Sequence, residues 1–469
     1  MSQSSFRCLP AVDLVSRDER LQIVSQLLPR QQMVRWIRTA IDDCRQQIVQ
    51  GGQMTDESAI DFVVARTLSA TRFELGRRQQ AVINATGILL HTNLGRACLA
   101  DAAIERMNAA MRYSNVEMNM WTGKRNQRGE RVCELLCELT GAEDAVLVNN
   151  CAAATMLTLQ TMASGREVVI SRGQLVEIGG GYRLPEVFAA SGAVMREVGT
   201  TNRTYTRDYE HVIGDHTAAL IRVHRSNFYQ AGFVTEPDTA ELVHLGKQHD
   251  IPVIDDIGSG CMHSLSDLGL AEPTIPESVA TGADVTLFSG DKLFGGPQAG
   301  IIIGRRDRIA AFRSSPMARA LRIDKVTLAA LEATVEIHLS GQARDKLPLL
   351  RMMYESADSI RRRCEQVSGQ LSGSAAVTIS VEDCVSEIGG GSVPGSQVPS
   401  CGLVVHTADA ESFARSLRTA SPPVQATIRD AAVRLDLRTV SEQETGPLTN
   451  SLNQAIREAD AVATGSVHE

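Results

Sequence analysis

The sequence predicts an α/β fold built on a mostly parallel sheet, and three observations carry that prediction. From about residue 81, short β-branched runs alternate with helical patterns. Several of the runs are apolar throughout, as strands buried on both faces must be. The 469 residues, 43% hydrophobic and 22% charged, suffice for a large core and about three domains. Alternating strands and helices fold as parallel strands covered by helices, with chemistry beyond the strand C-termini.

Residues 1–80 read as a helical N-terminal domain. DLVSRDERLQIVSQLL and QMVRWIRTAIDDCRQQIV space apolar residues three and four apart, Gly51-Gly52 interrupts, and a third helix runs from Thr55 to about Leu75. The core spans 81–340. Its candidate strands are AVLVN (145–149), EVVIS (167–171), AVMREV (193–198), AALIRV (218–223), PVIDD (252–256), VTLFS (285–289) and GIIIG (300–304). Helical patterns separate most of them; in GERVCELLCEL, Val132, Leu135, Leu136 and Leu139 share a face. A long helical region covers roughly 316–370. The Gly/Ser/Pro-rich GGGSVPGSQVPS (389–400) then precedes the strand-like CGLVVHT and AVRLDLRTV. Residues 341–469 form a smaller α/β domain.

Composition excludes several classes. No apolar run reaches the ~18–20 residues of a membrane span. MSQSSFRCLPAVDLVSRDER lacks the basic and apolar regions of a secretory signal. The ten cysteines form no C-x-x-C pair and no zinc spacing. Scattered thiols fit a reducing, cytoplasmic setting. A net charge of −8 argues against a basic coat for nucleic acid. Residues 1–80 nevertheless hold eleven Arg, no Lys and nine acids, a local balance of +2.

Three features carry chemistry. Lys292 follows a buried strand and a Ser-Gly-Asp turn in VTLFSGDKLFGGPQAGIIIG. A partly desolvated lysine has a depressed pKa and condenses with aldehydes, and Ser289 could place its hydroxyl on a phosphate. Asp255 and Asp256 end the strand PVIDD, and a buried acid needs a partner. A protonated pyridine nitrogen is one such partner, and an Asp there keeps the ring an electron sink. Asp256 is favoured and Asp255 stays open; a metal pair lacks a third hard ligand nearby. In NNCAAATM (149–156) a helix starts at Cys151, Ala152 and Ala153, where free N–H groups suit a phosphate. Phosphate loop, strand-end Asp, then lysine is the chain order of aspartate-aminotransferase-type enzymes, which makes pyridoxal 5'-phosphate the economical cofactor.

The chain also resembles the bacterial selenocysteine synthases, the L-seryl-tRNA(Sec) selenium transferases. The matching stretches are VINATGILLHTNLGRA (82–97), YSNVEMNMWTGKRNQRGERV (113–132), SRGQLVEIGGGYRLPEV (171–187), VGTTNRTYTRDYE (198–210), VHRSNF (223–228), FSGDKLFGGPQAGIIIGRRDRI (288–309), RALRIDKVTLAALEAT (319–334) and GGGSVPG (389–395). RCLPAVDLV and LDLRTV extend the likeness toward both ends. It departs at Cys151, where Asn is usual, at GKRNQR, and at PPVQATIRD, which lacks an Arg expected near Thr427.

The resemblance implies a fold-type-I pyridoxal-phosphate enzyme with the cofactor on Lys292. It also implies an N-terminal domain that docks tRNA and a homodecamer built from dimers. Its arginines for the anionic selenium donor match Arg96, Arg319 and Arg322. The last two are three apart and would share a helix face, and Arg96 would serve a neighbour's cofactor. His224 and Gly173 stand at strand ends near the cofactor. The implied reaction removes the seryl Cα proton with Lys292 as base. Water leaves with a proton supplied through Asp291, and selenium from selenophosphate adds to the aminoacrylyl-tRNA. The alternative is a pyridoxal-phosphate lyase acting on an amino acid or an amino sugar acid.

Overall fold

In the computed structural model, residues 6–464 are described. Seven strands form the central sheet: β1 (Asp144–Val148), β2 (Glu167–Ser171), β3 (Val194–Val198), β4 (Thr217–Val223), β5 (Val253–Gly258), β6 (Val285–Ser289) and β7 (Gly300–Gly304). Their spatial order is β1-β7-β6-β5-β4-β2-β3. Each lies within two residues of an apolar run in the sequence. Pairing is parallel except at β7, which runs antiparallel to β1 and β6. The cause is chain length. Only residues 290–299 join β6 to β7, too few for the crossover that a parallel pair requires. Lys292 sits in that short connection.

Helices α1 (Val12–Ser16), α2 (Glu19–Ser25), α3 (Arg30–Val49) and α4 (Asp56–Gly76) surround a core that includes Val15, Leu21, Ile37, Cys44 and Val63. The first apolar stretch divides where Asp18 caps α2 and accepts the Arg20 N–H at 2.9 Å. Thr55 and Ser58 form a reciprocal cap on α4. In the core, α5 (Asp101–Ala110) and α6 (Glu130–Thr140) precede β1, and α7 (Cys151–Ala163) follows it. The helical region after β7 is broken into α8 (Pro316–Ala320), α9 (Lys325–Leu339), α10 (Ala343–Lys346), α11 (Pro348–Tyr354) and α12 (Ala357–Ser368). Asp324 caps α9 through the N–H groups of Val326 and Thr327 at 2.7 and 3.0 Å. Pro348 occupies the first position of α11, where its missing N–H costs nothing.

The smaller sheet holds β8 (Val377–Glu387), β9 (Gln397–Thr407), β10 (Thr427–Arg429) and β11 (Ala432–Asp436), antiparallel in the order β8-β9-β11-β10. Residues 83–90 pack with this sheet rather than with the large one. Ile83–Asn84 pairs in parallel with Val424–Gln425, Ile83 and Ala85 join the small layer's core, and the Leu90 N–H donates to Ile388 O at 2.8 Å. A boundary at 81 therefore assigns this strap to the wrong core. An extended segment must pair its backbone groups, and the small layer offers the partners.

Asp436 ties the strap down. It accepts the hydroxyls of Ser386 at 2.6 Å and Ser400 at 2.7 Å, and the Arg438 N–H at 3.0 Å. Gly87 lies against it: a Cβ there would stand 2.3 Å from Asp436 Oδ2, and φ is +75°. Gly165 shares that φ with nothing within 4 Å, so it isolates the backbone cost. Gly87→Ala is expected to destabilise by at least about 2 kcal/mol and Gly165→Ala by about 1 kcal/mol. Thermal unfolding of the two variants side by side checks the difference.

Candidate active site

A cavity of about 230 Å³ opens at the C-terminal edge of the central sheet. The chain reaches it from the ends of β1, β4, β5 and β6, the places where an α/β sheet presents its chemistry. Among its lining residues are Arg96, Cys151, Ala152, His224, Asp256, Ser289, Asp291 and Lys292.

Lys292 is 7% exposed, and its Nζ lies 3.5 Å from Gly391 O. Asp256 is also buried, and its Oδ2 accepts the Thr155 hydroxyl at 3.2 Å. With so little hydrogen bonding to offset it, burial pushes the Asp256 carboxyl up to about 6. Asp255, one residue earlier, faces the other side of the sheet. It accepts from Arg222 at 3.2 Å, Thr239 at 3.0 Å and Ser278 at 2.6 Å. The strand thus presents one fully satisfied acid and one acid open to the cavity, and the open one is Asp256.

The start of α7 differs from the simplest expectation. Asn150 caps the helix and accepts the Ala153 N–H at 2.8 Å, so that donor is spent within the protein. Ala153 is not among the lining residues. Cys151 and Ala152 are, and their N–H groups meet no acceptor among the described residues. Burial, reinforced by Asp256, raises the Cys151 thiol, which keeps it neutral beside those donors.

Ser289 also departs from expectation. Its hydroxyl donates to Asp291 Oδ1 at 2.6 Å, so its one proton is not available to a phosphate. Asp291 Oδ2 accepts from Arg96 Nη1 at 2.6 Å. Both oxygens of Asp291 therefore act as acceptors, the arrangement of a residue that positions a guanidinium rather than one that donates a proton. Arg96 adopts a left-handed φ of +64°, a strained state for a non-glycine residue that is found where geometry is held for function. It lines the cavity of its own chain.

His224 donates its N–H to Asp256 O at 2.8 Å, and its Nε2 lies 3.2 Å from buried Glu272 Oε1, off the hydrogen-bond line. Gly173 is not at the cavity. Its N–H donates to Ser171 Oγ at 3.2 Å, and a Cβ would meet Thr201 O at 2.7 Å, so it serves a tight turn. Arg319 and Arg322 do not share a helix face, because α8 ends at Ala320. The chain then turns extended: Asn149 N–H donates to Leu321 O at 2.9 Å, and Arg322 bridges to Val148. Arg322 pairs with Glu117 at 3.3 Å, a carboxylate that also holds Arg125 and Arg128, each at 3.0 Å. Neither Arg319 nor Arg322 lines the cavity.

Sequence reasoning missed Thr155 and Tyr182, both of which line the cavity. Thr155 is four residues after Cys151 on α7, so helical spacing could have found it. Tyr182 lies in a two-residue strand, Tyr182–Arg183, paired antiparallel with Glu177–Ile178 and too short to leave a periodic signal; burial, with Asp256 nearby, raises its phenol.

The cavity's donors and acceptors fit pyridoxal 5'-phosphate. A buried carboxylate with one hydroxyl partner suits a protonated ring nitrogen, two free helix-start N–H groups suit a phosphate, and a buried amine suits an aldehyde. Fold and site together define a pyridoxal-phosphate-dependent α/β enzyme. Among solved structures, a D-glucosaminate-6-phosphate ammonia-lyase superposes with a TM-score of 0.57 at 22% identity, covering 82% of this chain and 98% of that one; this is a likeness of fold. The family described as L-seryl-tRNA selenium transferase matches residues 82–441, and the chain belongs to that family. An L-seryl-tRNA(Sec) selenium transferase of Solidesulfovibrio magneticus is 43% identical over 97% of this chain and 98% of its own length. One from Moorella thermoacetica is 43% identical over 98% of each.

The raised carboxyl of Asp256 has a sign that can be tested. Between about 3.8 and 6 the cofactor-free folded protein keeps a proton that the unfolded chain has lost. Its contribution to stability therefore falls as pH rises through that window. Asp256→Asn is expected to stabilise the cofactor-free protein near neutral pH by up to about 3 kcal/mol, and to weaken cofactor retention at least about tenfold. Thermal unfolding against pH and titration with the cofactor read the two effects separately.

Proposed function

We propose that this protein converts seryl-tRNA(Sec) to selenocysteinyl-tRNA(Sec), with pyridoxal 5'-phosphate carried by Lys292 and selenophosphate as the donor. The observation that carries the reading is the meeting of buried Lys292 and buried Asp256 in one cavity of a chain from this family. The lyase alternative is weaker. The ammonia-lyase shares 22% identity with this chain, whereas the transferases share 43% over nearly their whole length.

The bound cofactor supplies an electron sink that acidifies the seryl Cα–H. Asp256 maintains that sink by holding the ring nitrogen in its charged form. Cys151 and Ala152 offer N–H groups to the phosphate, and His224, tied through its backbone to Asp256, lies at the ring's wall. Lys292, as a free amine, takes the Cα proton and hands it on to the β-hydroxyl, which leaves as water. Asp291 acts by positioning Arg96 near the β-carbon, where an incoming anionic donor needs a fixed cation.

Arg319 and Arg322 complete the donor site from a second copy of the chain. Glu117 gives one negative charge to three guanidiniums, leaving positive charge on that face. Beside it Tyr113, Met120 and Trp121 are exposed, Trp121 by 97%, as expected of a surface that another subunit covers. The assembly is read as a homodecamer of five dimers. The N-terminal domain docks the tRNA; Arg30, Arg35, Arg38 and Arg72 are exposed there and enter no ion pair among the described residues. Arginine suits this task because its guanidinium grips phosphate in two places. No helix among the described residues is long and apolar enough to cross a membrane, and the reaction belongs in the cytoplasm with its tRNA.

Purified protein given seryl-tRNA(Sec) and selenophosphate is expected to load selenium on that tRNA and not on seryl-tRNA(Ser). Lys292→Ala is expected to lose both the bound-cofactor absorbance and at least about a thousandfold of the transfer rate. Absence of selenium on either tRNA with wild-type protein would refute the assignment. The shared donor site predicts that Lys292→Ala and Arg322→Ala subunits, each inactive alone, regain partial transfer when reassembled together.

A further inference from the structure

A second cavity, of about 220 Å³, adjoins the lysine cavity and shares Ser226 with it. Its walls are Ser226, Asn227, Glu387 and the loop 389–397 of the small layer. The loop is built to sit close. Gly389, Gly390 and Gly391 take φ values of +71°, +63° and +72°. A Cβ on Gly389 would stand 2.5 Å from Ile88 Cγ2, and one on Gly390 2.6 Å from Leu90 Cβ, so the strap 83–90 carries the loop. At Gly391 the loop faces the site: a Cβ there would lie 3.5 Å from Asn227 Cβ and 3.7 Å from Lys292 Nζ.

Two polar atoms in this wall lack partners. Ser392 is 2% exposed and its Oγ has no hydrogen-bond partner among the described residues; Asn227 Oδ1 is buried and equally unmet there. A buried polar atom without a partner is costly, and one facing a cavity marks a place for a ligand's complementary group. The charge of the wall then selects the ligand. It contains no Lys, Arg or His, and its one ionisable residue is Glu387, which enters no ion pair among the described residues.

We propose that this second cavity binds the uncharged acyl-ester end of an aminoacylated ribose and disfavours a free amino acid. The inference rests on the proposed seryl-tRNA reading and names the element that enforces it. The substrate's amino group must reach Lys292, so whatever is joined to its carboxyl group lies against residues beside Nζ, and Gly391 is such a neighbour. A free carboxylate there would face the Gly391 carbonyl and Glu387, and once Lys292 is engaged with the substrate's amino end the wall itself brings no cation to offset its desolvation. An ester carries no charge. Its carbonyl accepts from the Ser392 hydroxyl, and a ribose hydroxyl donates to Asn227 Oδ1.

The test compares two probes on the holoenzyme by calorimetry: L-serine, and the hydrolysis-proof amide 3'-(L-seryl)amino-3'-deoxyadenosine. Wild-type protein is expected to bind the amide at least about tenfold more tightly. Ser392→Ala is expected to weaken the amide about tenfold and leave L-serine unchanged, while Glu387→Arg strengthens L-serine several-fold. Melting temperatures confirm that both variants fold. Equal binding of the two probes by wild type, or an unchanged ratio in both variants, overturns the proposal. If either result accompanies normal selenium transfer to seryl-tRNA(Sec), the function stands and this inference alone falls. Preference for L-serine with no selenium transfer removes both.

Discussion

Everything in this protein turns on keeping an acid and an amine out of water within one small space. Asp256 and Lys292 stand at the ends of adjacent strands, β5 and β6, whose residues are almost wholly buried. A carboxylate so placed is costly unless something meets its charge. The fold could have met it, and one residue away it does: Asp255 has an arginine and two hydroxyls. At Asp256 only Thr155 donates. Function here is bought with stability, since the open side of the carboxylate is where a cationic ring nitrogen fits.

The second wall of the site comes from a different layer, and its placement depends on the strap. Residues 83–90 leave the N-terminal domain, pair with the small sheet and then lead to Arg96 at the cavity. The same strap seats the 389–391 glycines against Ile88 and Leu90. Asp436 anchors the strap directly, donating its N–H to Ala85 O at 2.9 Å and lying against Gly87, while Ser386 and Ser400 hold its carboxylate in place. A change in the small layer's core is thereby felt at Arg96 and at Gly391, on two sides of Lys292. Coupling of this kind needs no moving part, because close-packed segments transmit displacement.

The large sheet was legible because its strands are apolar runs of the right length between turn signals, a pattern that burial on both faces demands. β8 was not: it is an edge strand, largely half-exposed, and VTISVEDCVSE mixes polar and apolar residues accordingly. Lys292 and Asp256 could be read from their strand-end positions. The details around them could not, because they depend on which side chain claims which proton. Ala153 is lost to the Asn150 cap and the Ser289 proton to Asp291. The arginine spacing at 319 and 322 implied a shared face only while the helix continued, and α8 stops at Ala320. Tyr182 enters on a two-residue strand, too short to leave a periodic trace.

Charge separation within one chain leads to the assembly. The chain is acidic overall, yet two of its faces carry arginine in excess of acid: the N-terminal region, with eleven Arg against nine acids in residues 1–80, and the Glu117 face, where one carboxylate meets three guanidiniums. On the proposed reading a phosphate-bearing macromolecule meets the first across a wide surface, where long-range attraction speeds encounter. On the same reading the second serves a small anion, for which a few fixed guanidiniums suffice. That second cluster does not line its own chain's cavity, whereas Arg96 does. In the proposed reaction elimination uses residues that line one chain's cavity, whereas addition of the anionic donor calls on cations that lie apart from that cavity. The exposed Trp121 beside the cluster makes the same point from the apolar side: the face that carries the missing cations is also the face with most to gain from being covered. On the proposed reading, then, the chain works as an assembly, where both steps are served by one site.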